Sequence, residues 1–176
     1  DETVESELRR GYPGDENERR SLGLLDVATH TVRMLPLEQP GYRGISDYQW
    51  SKDGRLLVDQ VSDTGAERWL FVFEAGSTES RLVWHDLRDT RIYPAYAARW
   101  HPDGRRIIVV ADISERDHLY SIDTHSLGTG AASPSPVALT RGDWDVAGER
   151  GAASVSVAPD GAIFFTATMK NPYERQ

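Results

Sequence analysis

The feature that most constrains this chain is a short element that returns in phase. Trp50-Ser-Lys-Asp53-Gly54, Trp100-His-Pro-Asp103-Gly104 and Val157-Ala-Pro-Asp160-Gly161 each place an apolar residue three positions before an Asp-Gly pair. Each is followed by a run such as LLV, IIVV or IFF. That order predicts a strand, a tight Asp-Gly hairpin and a second strand, because glycine accepts the positive φ that primed turns demand. The pairs recur after 50 and then 57 residues, so the chain is read as repeated all-β units. Helices are disfavoured, apart from a short candidate before Gly11-Tyr12-Pro13.

Two further strand candidates lie between successive hairpins. ERWLFVFEAG and SRLVWHDL serve one unit, and DHLYSID and PVALT serve the next, separated there by the Ser/Pro/Gly-rich SLGTGAASPSP. SLGLLDVATHTVRMLPL matches the last two strands of a preceding unit. Four short strands in about 40–50 residues are the signature of a β-propeller blade. A β-sandwich also has short strands, but does not require the same element in phase. The expected class is all-β, a partial β-propeller with four-stranded antiparallel blades. Residues 1–20 form a polar lead-in or inter-blade connection, 21–41 the end of one blade, 42–92 a blade, 93–142 a blade, and 143–176 the start of another. A closed propeller needs roughly four to eight blades, so the first and last sheets are expected to expose a face and an edge, which permits self-association.

Composition excludes several partners. The formal net charge is −8, and basic residues such as Arg19-Arg20 and Arg105-Arg106 are scattered, which argues against nucleic acid. With no cysteine, disulfides, thiol catalysis and Cys-based zinc sites are excluded. No apolar segment is long enough to span a membrane. Bacterial cytoplasm and periplasm are both compatible with this composition.

Candidate sites are sparse. Asp143 and Asp145 flank Trp144, but a metal needs three or more converging ligands, and only two carboxylates are local. Asp143 is expected to cap the turn and Trp144 to pack between blades. Trp50, Trp100 and Trp144 recur once per blade and are expected to form inter-blade core, with Trp69 and Trp84 in strands. The five histidines, His30, His85, His101, His118 and His125, fall at turns or strand ends. Asp117-His118 and His85-Asp86 face opposite sides of a strand, which disfavours an acid/base dyad. Ser154 and Ser156 sit in alternating, strand-like sequence. No catalytic, cofactor or metal residue is assigned. Glu115 and Arg116 lie on a short loop between strands, where propellers present contacts to ligands or partner domains; the alternative is a solvated hairpin of opposite charges.

The ordered set YPGDEN (12–17), LGLLDVAT (22–29), YQWSKDGRLLV (48–58), ARWHPDGRRIIVV (98–110), SERDHLY (114–120), LTRGDWDV (139–146) and FFTATMKNPYERQ (164–176) resembles the propeller of the dipeptidyl peptidase IV branch of the prolyl oligopeptidase family. Ser114-Glu115-Arg116-Asp117 runs directly into His118-Leu119-Tyr120, without the glycine that the family places between them. The resemblance implies a serine peptidase that removes dipeptides, its Ser-His-Asp triad carried by a C-terminal α/β-hydrolase domain with a Gly-x-Ser-x-Gly elbow. No such elbow occurs in these 176 residues. The family's amino-anchoring Glu pair precedes the Tyr-Pro segment, hence Tyr12. The resemblance therefore implies a non-catalytic fragment that gates and positions peptide substrates, with Arg9, Arg10 and Tyr12 near the substrate path. A β-propeller interaction module of TolB-like or WD type is the alternative. A free-standing hydrolase or glycosidase would need a triad or two converging carboxylates, and neither is identifiable.

Overall fold

The computed structural model describes residues 21–37, 42–62, 64–88, 98–125, 135–146 and 155–168. The lead-in 1–20 and its helix candidate, most of the Ser/Pro/Gly-rich stretch (126–134), and the motif NPYERQ lie outside the described residues. A hairpin of β1 (Gly23–Asp26) and β2 (Thr31–Met34) comes first. Next is a four-stranded antiparallel sheet, β3 (Tyr42–Trp50), β4 (Leu56–Ser62), β5 (Glu67–Phe73) and β6 (Ser80–Leu87), in simple meander order. A second follows the same order: β7 (Ala98–Trp100), β8 (Arg106–Ala111), β9 (His118–Asp123) and β10 (Val137–Ala138). The last hairpin pairs β11 (Val155–Val157) with β12 (Ile163–Phe165). β7 lies beside both β3 and β11, so the sheets approach one another at their first strands. The fold is a partial β-propeller with four-stranded blades, and the described sheets do not close into a ring.

The Asp-Gly turns differ from the expected primed type. Gly54, Gly104 and Gly161 do take φ of 82°, 68° and 93°, but no preceding aspartate has positive φ. Gly54 N–H donates to the Ser51 carbonyl, and Ser51 N–H to the Arg55 carbonyl. The loop is thus three residues long and ends on a left-handed glycine, the three-residue hairpin pattern. Ala158 and Ala162 close the same loop around Gly161, whereas His101 and Arg106 close one a residue longer. The aspartates act as acceptors inside these turns. Asp103 Oδ1 receives the N–H groups of Arg105 and Arg106, and Asp160 Oδ1 that of Ala162.

Both faces of each complete blade are buried, which explains the unbroken apolar runs in β4, β5 and β8. In β4 and β5, Leu56, Val58, Trp69, Phe71 and Phe73 face the first hairpin, where Leu35 and Leu37 join them. Leu57, Leu70 and Val72 face the other way and pack with Val83 and Trp84 against Ala98, Trp100, Ile107, Val109, Tyr120 and Ile122 of the next blade. The alternation continues in β8 and β9, whose Ile108, Val110 and Leu119 meet Val146 and Val155. Trp100 fits its expected core place at 7% exposure, but Trp50 is 55% exposed. Trp100 rests on the first two strands of the blade before it. The described part of the sheet before Trp50 is only the β1–β2 hairpin, so Trp50 has no such floor.

Polar pins cross the seam between the two complete blades. Arg68 is buried and grips Asp59 with Nε and Nη2 at 3.0 and 2.6 Å, while its Nη1 donates to the Val110 carbonyl of the next blade. Burial pushes the Asp59 carboxyl upward, and Arg68 opposes that shift. Removing one partner of such a pair strands a buried charge, a loss of about 3–5 kcal/mol. Near the turns, Arg55 donates to Asp53 and to the Gly104 carbonyl and lies 4.8 Å over the Trp100 ring. Trp100 in turn receives Gln49: its N–H donates to Gln49 Oε1 and its indole N–H to the Gln49 carbonyl.

Two outcomes follow from this packing. Trp100→Ala should cost roughly 3–5 kcal/mol and lower the urea midpoint sharply, whereas Trp50→Ala should stay within about 1 kcal/mol; equal midpoints for the two variants would overturn the seam assignment. The second outcome concerns acid. Hydrogen bonds from Arg55 and then Ser51 lower the Asp53 carboxyl from 3.8 to about 2. Partial burial acts to raise Asp103, but the amides of Arg106 and Arg105 and the side chains of Arg106 and His101 outweigh it, holding that group well below the carboxylate range. Both groups are more acidic folded than unfolded, so their stabilisation is complete above the unfolded value and fades as pH falls from near 4 through 2. The Asp53→Asn, Asp103→Asn double variant should be less stable at neutral pH and lose less on acidification. An unchanged slope of urea midpoint against pH would assign the acid response to other carboxylates.

Candidate functional site

The two motifs SERDHLY and LTRGDWDV, separated in sequence, meet in space. Six residues, 112–117, connect β8 to β9, and Glu115 within them has φ of 66°, a left-handed backbone rare for a side chain of this kind. The left-handed position thus falls on Glu115 in a loop that lacks the family's glycine. Ser114 and Tyr120 share a hydroxyl hydrogen bond of 3.1 Å across the loop. Arg116 donates from Nη2 to Asp143 Oδ1 at 2.5 Å and from Nη1 to Asp145 Oδ2 at 3.1 Å. The bond to Asp143, then the charges of both aspartates, raises the Arg116 pKa above its ordinary value.

Backbone bonds complete the clamp. Asp117 N–H donates to Asp145 Oδ1, and Val146 N–H donates to the Asp117 carbonyl at 2.6 Å. Asp145 is also tied to the last hairpin: its N–H donates to Thr168 Oγ1, and Thr168 N–H returns to its carbonyl. The loop of one blade and the start of the next are therefore joined through Asp145.

His118 seats the aromatic beneath this clamp. It is buried, and its Nε2 stands 3.1 Å from the Gly142 carbonyl, which can only accept. Thr140 Oγ1 accepts the Leu119 N–H, and its hydroxyl hydrogen is free to donate to His118 Nδ1 at 3.2 Å. The bonds fit a neutral imidazole carrying its proton on Nε2. Trp144 meets the His118 ring edge-on at 4.9 Å and stacks on Phe165 at 6.1 Å. Gly142 has φ of 137°, and a Cβ there would come within 2.3 Å of Trp144 Nε1, so only glycine lets the ring lie where it does.

Several expectations change on this geometry. Asp143 and Asp145 do not diverge: residues two apart leave the chain on the same side, and both carboxylates converge on Arg116. Asp143 pairs with a side chain and does not cap the turn. Arg116 is engaged by these aspartates and not by Glu115, which replaces the picture of a hairpin of mutually paired charges. Trp144 does pack between blades. His118 turns away from Asp117 to Gly142 and Thr140, in keeping with opposite faces. Arg9, Arg10 and Tyr12 lie outside the described residues.

The cluster's chemistry is that of a positioned surface. Among the described residues, no group of three His, Cys, Asp or Glu could hold a metal ion, and serine hydroxyls pair with Asp53, Thr64 and Tyr120 and not with histidine. Asp59, Arg68 and Thr140 were not singled out from sequence. A signal for the first two was present: charged residues inside otherwise apolar strands, LLVDQV and ERWLFVF, are seldom buried without a partner.

Arg116→Ala should lower the urea midpoint, and the same change should do less in an Asp145→Asn background. A double-mutant cycle reads the coupling. High salt should shrink it, since the groups are exposed; strictly additive effects would dissolve the clamp.

Comparison with known proteins follows the motif order. Residues 3–176 match the family model described as the dipeptidyl peptidase IV (DPP IV) N-terminal region. A curated Penicillium rubens protein, "Probable dipeptidyl-aminopeptidase B", is 25% identical over 185 aligned residues, covering 96% of this chain and 19% of that protein. The crystal structure of Porphyromonas gingivalis dipeptidyl peptidase 4 superposes with a TM-score of 0.64 at 18% identity, covering 88% of this chain and 21% of that one. A Bacteroides ovatus structure gives a TM-score of 0.62 at 14% identity over 84% of this chain and 29% of its own. The two structures are alike in fold, and the chain spans less than a third of each of these proteins.

Proposed function

The chain belongs to the dipeptidyl peptidase IV N-terminal region family, and from that premise we propose that it is the non-catalytic, gating part of a serine dipeptidyl-peptidase. In this reading the blades at 21–41, 42–92, 93–142 and 143–176 form part of a wall around a hydrolase site. The wall admits short or unfolded peptides and excludes folded proteins. Acyl transfer by a Ser-His-Asp triad and its oxyanion hole belongs to an α/β-hydrolase domain elsewhere in the same polypeptide.

The observation that carries this reading is the family match over residues 3–176, on an all-β fold of four-stranded blades. Within the site, Glu115 supplies the outward contact to peptide or hydrolase domain, and Arg116 positions it by anchoring the loop to Asp143 and Asp145. Arg9, Arg10 and Tyr12 are assigned to the same substrate path.

The test is made on the native-length polypeptide. It is captured with an antibody raised against this chain and treated with a serine-hydrolase probe. Labelling on the same polypeptide, with hydrolysis of an X-Pro chromogenic amide that the isolated chain does not perform, is the expected result. An unlabelled polypeptide, or turnover by the isolated 176 residues, would overturn the reading. The first of these outcomes would favour a free-standing interaction module.

A further inference from the structure

The first strands of the sheets carry an arginine that the seam does not fully use. β3 and β7 are each the edge of their sheet, and β7 runs beside β3 on one side and β11 on the other. Their unpaired edges therefore share one inner wall. Ala98 and Trp100 point into the core with the preceding blade, so Arg99 leaves β7 from the opposite face. Its guanidinium nevertheless bends around the open edge. Nη1 donates to the Ala98 carbonyl at 2.8 Å and to Asp47 Oδ2 of β3 at 2.5 Å.

Those bonds occupy one nitrogen of three. Nε and Nη2, which together offer a parallel pair of N–H donors, have no hydrogen-bond partner among the described residues. The Arg99 and Asp47 side chains remain 32% and 43% exposed. Asp47 also lies directly across from Asp59, a like-charge pairing that is unfavourable on its own. Arg68 takes Asp59 and Arg99 takes Asp47, so Arg99 is held at the wall by charge while half of its fork stays open. Asp47 Oδ1 is separately bound by the Tyr48 N–H.

We propose that Arg99 is a carboxylate-binding residue of this inner wall, receiving a peptide carboxylate bidentately on Nε and Nη2. A planar monoanion matches the fork. A doubly charged phosphate is less suited to a wall that also carries Asp47. The unpaired edge of β3 beside it offers backbone donors and acceptors to an extended peptide, so a peptide is the carrier of that carboxylate. The inference rests on the peptidase-gate reading and adds to it a binding position on the blades themselves.

The experiment uses the native-length polypeptide, treated with a serine-hydrolase inhibitor so that binding is read without turnover. Fluorescence anisotropy compares three labelled peptides of one sequence: the neutral C-terminal amide, the free acid, and an amide with a glutamate near its end. The charge-assisted pair predicts that at least one carboxylate peptide binds about tenfold or more tighter than the neutral amide. Which of the two gains identifies a C-terminal or a side-chain carboxylate as the source. Arg99→Gln should erase the difference, and Asp47→Asn should enlarge it by releasing Nη1. Arg99→Lys keeps the pairing charge but lacks the fork, and should give an intermediate preference even if the glutamine variant folds poorly. A purely structural bridge would make Asp47→Asn and Arg99→Gln alike in stability and silent in peptide preference. That result, or equal binding of all three peptides by the unsubstituted protein, overturns the proposal. Turnover of the chromogenic amide without inhibitor reports separately on the peptidase reading.

Discussion

A four-stranded sheet that is apolar on both faces cannot shed water from either face alone, and this constraint orders the whole chain. Leu56 and Leu57, adjacent in β4, enter different cores, as do Ile107 and Ile108 in β8. Stability is therefore a property of seams between blades, as in other stacked repeats. Phe164 shows the consequence at one end. Two residues past Ala162, which closes its turn, it corresponds to Leu57 and Ile108, two past Arg55 and Arg106 and both at most 2% exposed, yet it is 65% exposed because no described strand lies beyond it. Leu25 and Val32 form the matching bare pair on the first hairpin.

Apolar faces alone allow one sheet to slide against the next, and the charged groups remove that freedom. Arg68 joins Asp59 to the Val110 carbonyl, and Arg55 joins Asp53 to the Gly104 carbonyl. Each arginine also lies over a tryptophan of the seam, Trp84 and Trp100 respectively. A guanidinium suits both tasks, since its edge donates while its face stacks. The pairs fix how neighbouring blades register, and their main energetic weight lies in how costly they are to break, because Arg68, Asp59 or Arg55 stays buried when its partner is lost.

The blades were legible in sequence because turn chemistry and apolar runs repeat at the level of single residues. The Asp-Gly pairs locate three hairpins, and ERWLFVF, SRLVWHDL and DHLYSID fall on β5, β6 and β9. The turn subtype was not legible: a left-handed glycine serves a primed turn and a three-residue loop equally, and only the hydrogen bonds tell them apart. Trp50 misled for a related reason. It has the sequence context of Trp100, but burial depends on what lies opposite, which a local motif does not encode. The clamp was hidden by range, since Arg116 finds its aspartates 27 and 29 residues later.

The same packing decides which side chains are already committed within the fold. Side chains in the second and third strands of the complete blades are committed to cores on both faces, and the turn aspartates to backbone amides or, at Asp53, to Arg55 and Ser51. Glu115, exposed on a loop whose neighbours are internally bonded, and the first-strand edge at Arg99 stand apart from that pattern. Holding a residue in left-handed backbone costs on the order of 1–3 kcal/mol and persists only where the surroundings over-determine it. Here the surroundings are Arg116, Asp145 and the backbone of Asp117. The blade-to-blade bonding that stabilises the fold thus also holds the loop from which Glu115 faces outward.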